Sequence, residues 1–69
     1  MQRSMIVEAA IYLRAPNHPA FRKYRESFVS VANHTALLSE DEFAELVATS
    51  RRSPGEVNRA LIRERNNLR

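Results

Sequence analysis

An all-α domain, a bundle of three to four short helices, is the fold this sequence predicts, and three observations predict it. Glycine occurs once in 69 residues and proline only at positions 16, 19 and 54, which leaves three long stretches without a breaker. Within the second stretch apolar residues recur at helical spacing. Two Ser-x-x-Glu sequences, of the kind that start helices, stand at 39–42 and 53–56.

The first segment, Met5 to Leu13, supports two readings. As a helix, Ile6, Ala9, Ala10 and Leu13 share a face, with Met5 and Tyr12 beside it and Glu8 as the polar exception. As a strand, Val7, Ala9, Ile11 and Leu13 point one way, and Ile6, Glu8, Ala10 and Tyr12 the other. Helix is the favoured reading, because nothing later in the chain offers a partner strand. Pro16 halts this segment, and Asn17-His18-Pro19 reads as a new helix start capped by Asn17 or His18. From there Phe21, Tyr24, Phe28, Val31, Thr35 and Leu38 follow spacings of three and four, and Arg22, Lys23, Arg25, Glu26 and Ser27 occupy the other faces. This helix is expected to end near Asn33-His34.

In Ser39-Glu40-Asp41-Glu42 the serine and the last glutamate are placed to cap one another, with Leu38 and Phe43 as a hydrophobic staple. The three acids of that first turn complement the positive end of the helix dipole. Ser53-Pro54-Gly55-Glu56 repeats the box with proline at the first helical position. These two sequences predict helices over 39–50 and 53–67.

One domain spanning residues 1–69 is all that this length accommodates. A core of this size offsets chain ordering only narrowly, and without cysteine no disulfide, zinc ribbon or thiol nucleophile supports it, so a homodimer is expected. The apolar run of nine residues near the N-terminus is far short of a bilayer span, and the chain reads as mature, soluble and cytoplasmic, with no membrane contact. Net charge is +3, distributed as +3 over residues 1–37, −4 over 38–50 and +4 over 51–69. Alternating blocks of this kind suit pairing between helices or with a protein of mixed charge better than a uniform basic coat would.

Catalytic chemistry is not expected. His18 and His34 lie 16 positions apart with no second ligand at helical spacing, so no metal site is predicted. Glu26, Ser30 and His34 align on one helix face, but the serine lies between the acid and the imidazole, the wrong order for a nucleophilic triad, and no loop supplies an oxyanion hole. The lone Gly55 sits in a capping box, not a phosphate loop, and no cofactor is implied. Aromatic and arginine side chains cluster instead at Tyr12, Arg14, Phe21, Arg22, Tyr24 and Arg25, the composition of an interface hot spot. These are the candidate partner-binding residues.

A second candidate surface lies further along. Phe43, Leu46, Val47, Ala48, Val57, Ala60 and Leu61 have the spacing of two packed helices, and over residues 43–62 the chain resembles the helix-turn-helix family. That resemblance implies a DNA-binding repressor using residues 43–65, with Asn58, Arg59 and Arg63 toward base edges and Arg51 and Arg52 on phosphates. The stretch from Ser50 to Glu56 reads as roughly three residues longer than that motif's turn, and Glu56 would face the phosphates. Were the first segment a strand, the order strand, helix, helix would resemble ribbon-helix-helix repressors, but neither strand face offers a suitable reader.

In overall character, being short, arginine-rich and without cysteine or a catalytic set, the chain resembles small phage- or plasmid-encoded helical inhibitors of the quorum-sensing anti-activator type. That resemblance implies a protein partner, such as a transcriptional regulator, bound and occluded by a helical face. It carries no individual residue across.

Overall fold

In the computed structural model, which describes residues 1–67, four α-helices follow one another: α1 (Arg3–Arg14), α2 (Phe21–Asn33), α3 (Glu40–Ser50) and α4 (Pro54–Asn67), with a 3-10 turn at Thr35–Leu37. The first segment is therefore helical, and among the described residues there is no strand, which removes the ribbon-helix-helix reading. Its predicted face is the buried one: Ile6, Ala9, Ala10 and Leu13 all lie in the core.

The start of α2 differs from expectation. Neither Asn17 nor His18 caps it; two successive turns intervene, closed by His18 N–H to the Ala15 carbonyl at 3.1 Å and Phe21 N–H to the His18 carbonyl at 2.9 Å. Pro19 sets the backbone angle that the second turn needs, and Pro disfavours helical geometry at His18 before it. The His18 ring is still used locally, its Nδ1 accepting from Ala20 N–H at 3.0 Å. At the other end the helix stops at Asn33 with His34 as its C-cap, so Leu38 reaches the core through the 3-10 turn.

Both predicted capping boxes form. Glu42 N–H donates to Ser39 Oγ at 3.1 Å while Ser39 N–H donates to Glu42 Oε1 at 2.9 Å. At the head of α4, Glu56 N–H donates to Ser53 Oγ at 3.2 Å and Ser53 N–H to Glu56 Oε1 at 3.4 Å. Because Ser53 to Glu56 is cap and first turn, the connection between α3 and α4 is only Arg51–Ser53. The apparent excess of linker disappears, and the connection has the three-residue length of a helix-turn-helix turn.

The helices meet around one core. Alanines at 9, 10 and 32 are fully buried, and with them Phe28, Val31, Leu46, Val57 and Leu61 form the core. Helix α1 packs on α2 and α3, and α4 packs on the same two, while α1 and α4 touch only slightly. That slight contact leaves a groove between them. Polar ties close the edges: Ser27 Oγ donates to Glu8 Oε1 at 2.7 Å, Lys23 Nζ lies 3.3 Å from Glu8 Oε2, and Arg3 Nε lies 3.2 Å from Glu45 Oε1. No helix of the described residues is long and apolar enough to cross a membrane.

Candidate interaction surfaces

The structure divides the partner-binding candidates among four places. Phe21, Arg25 and Val29 recur every fourth residue along α2, with Arg22 and Glu26 on the adjoining row. Together with Glu64 of α4 they line a groove of about 560 Å³. Phe21 keeps 38% of its surface exposed there, between exposed arginines. Tyr24 turns away from this groove and sets its ring edge-on to His18, with centroids 5.4 Å apart. Tyr12 tilts against Phe28 at 5.3 Å, so that its ring belongs mainly to the packing between α1 and α2. Arg14 is exposed in the last turn of α1, where a cation complements the carbonyl end of the helix.

Between α1 and α4 runs a second groove of about 430 Å³. Tyr12, Leu13, Pro16 and Ala60 form its apolar lining, and Arg52, Glu56, Arg59 and Arg63 its charged one. Arg52 is a strap across one end: its Nε donates to the Leu13 carbonyl at 2.9 Å, and its guanidinium lies 3.5 Å from Glu56 Oε2. The guanidinium expected on phosphates thus already closes the end of α1. The Ser53 hydroxyl, the Ser53 backbone and then Arg52 hold the Glu56 carboxyl below its ordinary range. Its charge is neutralised locally instead of projecting from the helix end. Arg59 and Arg63 are exposed, one turn apart, and have no carboxylate partner among the described residues.

Of the remaining DNA-reading candidates, Arg51 is exposed in the turn, and Asn58 lines a different groove, shared with Leu38, Glu40 and Phe43. Adjacent positions on a helix diverge by about 100°, so Asn58 and Arg59 address different sides of α4. His34 Nδ1 lies 2.8 Å from the Ser30 backbone carbonyl, so the imidazole binds the main chain and not the Ser30 hydroxyl. Among the described residues no three His, Cys, Asp or Glu side chains converge as a metal site would require.

Several exposed apolar residues were not anticipated. Leu37 is 67% exposed and Ile62 40% exposed. The Leu37-Leu38 pair carried a signal: adjacent residues in a turn cannot both face the core, and Leu38, as the staple residue, is the one that does. The class defined by fold and surface is a small four-helix domain with two arginine-edged grooves. Comparison with family models, with curated proteins and with solved structures gave no match to this chain.

Proposed function

We propose that this protein works by contact and not by turnover, as a small inhibitor that covers a functional surface of a partner protein, such as the DNA-binding or dimerisation face of a transcriptional regulator. The observation that carries this reading is the α2 groove, in which an aromatic side chain, Phe21, stands exposed beside Arg22 and Arg25. Aromatic and arginine side chains are enriched among the residues that dominate binding at protein interfaces, and this pair lies on a helix anchored in the core by Phe28, Val31 and Ala32. A two-chain assembly belongs to the same reading, since pairing adds buried surface to a core of ten side chains.

DNA binding through α3 and α4 is the second reading, favoured by the three-residue connection and the two free arginines of α4. Affinity capture from lysate, with and without nuclease, separates the two. A protein captured equally after nuclease, and lost with Phe21→Ala or Arg22→Glu while helicity by circular dichroism is unchanged, supports occlusion. Capture that disappears with nuclease and is indifferent to those substitutions supports DNA. For a hot-spot residue the expected loss is about tenfold or more in affinity.

A further inference from the structure

The groove between α1 and α4 and the connection between α2 and α3 complement one another in charge and in polarity. At the groove, Arg52 and Glu56 neutralise each other, so its net positive charge comes from Arg59 and Arg63, which border a lining of Leu13, Pro16 and Ala60. At the connection, Leu37 is the most exposed large apolar side chain among the described residues, at 67%. Glu40 and Asp41 follow it by three and four positions, both exposed and both without an ion-pair partner among those residues. Each surface has what the other lacks: Arg59 and Arg63 have no carboxylate partner among the described residues, and Glu40 and Asp41 answer only the N-terminal dipole of α3.

We propose that the groove receives the Leu37-to-Asp41 knob of a second copy of this chain, with Leu37 on the apolar lining and the carboxylates of Glu40 and Asp41 against the guanidinium groups of Arg59 and Arg63. The arginine fork matches a carboxylate in shape as well as charge. A nucleic-acid strand fits less well, because it carries a phosphate at every nucleotide and brings no apolar side chain to the lining of Leu13, Pro16 and Ala60. The knob instead presents two charges and one apolar side chain to two charges and an apolar lining. Every chain bears one knob and one groove, set on different sides of α4, so the contact runs head to tail from one copy to the next. The inference rests on the self-association proposed above and specifies an interface for it, which is separate from the α2 groove.

Light scattering of the full chain tests it by complementary charge reversal. Wild type has a mass above that of one chain at low salt and dissociates as salt rises, because exposed ion pairs are screened over about 10 Å at 0.1 M. The R59E/R63E and E40K/D41K variants change exposed side chains, and thermal denaturation by circular dichroism checks that each stays folded, since E40K/D41K gives up favourable charges at the N-terminus of α3. Each alone opposes like charges at the contact and has the mass of one chain. Their equimolar mixture opposes unlike charges and regains a mass above that of one chain. An associated species that neither variant disturbs overturns this interface while leaving self-association standing. A wild-type chain that stays single at high concentration in low salt overturns both. Binding of a DNA duplex that R59E/R63E abolishes, with no two-chain species formed, assigns these arginines to nucleic acid and overturns the inference.

Discussion

Arg51 is the one non-glycine residue of the described chain with a positive φ, at 59° with ψ 30°. It is the C-cap of α3, its N–H reaching the Val47 carbonyl at 3.1 Å and the Ala48 carbonyl at 3.3 Å. The left-handed region costs a side chain about 1 kcal/mol or more, and glycine is the usual occupant of such a position. Arg51→Gly is therefore expected to raise the melting temperature by about 4–8 °C, the shift that about 1 kcal/mol produces in a domain of this size. Thermal denaturation followed by circular dichroism checks this, and a fall in melting temperature would mean that the Arg51 side chain contributes more than its backbone costs. The sequence held no sign of this strain, because the conformation arises from the abrupt reversal between α3 and α4 and arginine is not a residue that marks one.

At the scale of elements, helix starts were the most legible features. Ser39, Ser53 and their partner glutamates act through hydrogen bonds three residues apart, so residue identity and spacing suffice to find them. The start of α2 was misread because Asn17 and His18 are good caps in isolation, whereas Pro19 and the double turn postpone helical geometry to Phe21. The partner-binding set was read from proximity along the chain and scattered in three dimensions for the same kind of reason: Tyr24 is one turn from Phe21 but its ring is drawn to His18. The capping carboxylates also set how the elements respond to acid. Hydrogen bonds from Ser27, from the Ser39 backbone and from the Ser53 hydroxyl hold Glu8, Glu42 and Glu56 below the usual 4.5. Folded-state values lowered in this way stabilise the fold above the unfolded value and lose that contribution as pH falls through the lowered ones. The melting temperature should stay level from about pH 7 to about 5 and fall below it, and the fall should be shallower in Glu8→Gln/Glu42→Gln/Glu56→Gln. Measurement of melting temperature against pH decides this, and a decline already complete above pH 5 would contradict it.

Viewed whole, the molecule has a radius of gyration of 10.6 Å against the roughly 11 Å expected for a folded chain of 69 residues. Its stability rests on few side chains. Leu46 is fully buried and is the single large apolar residue that α3 places in the centre. Truncating such a leucine costs about 3–5 kcal/mol, comparable with the roughly 3–10 kcal/mol available to a domain of this length. Leu46→Ala should therefore be largely unfolded or melt without a cooperative transition, as urea titration would reveal, whereas retention of wild-type cooperativity would indicate a core that collapses around the gap. The strap from Arg52 to the Leu13 carbonyl joins residues 39 positions apart. During synthesis on the ribosome the end of the first helix must therefore wait, its terminal carbonyl facing water, until the chain has grown past residue 52. The last turn of α1 is thus completed by a side chain from the connection between α3 and α4.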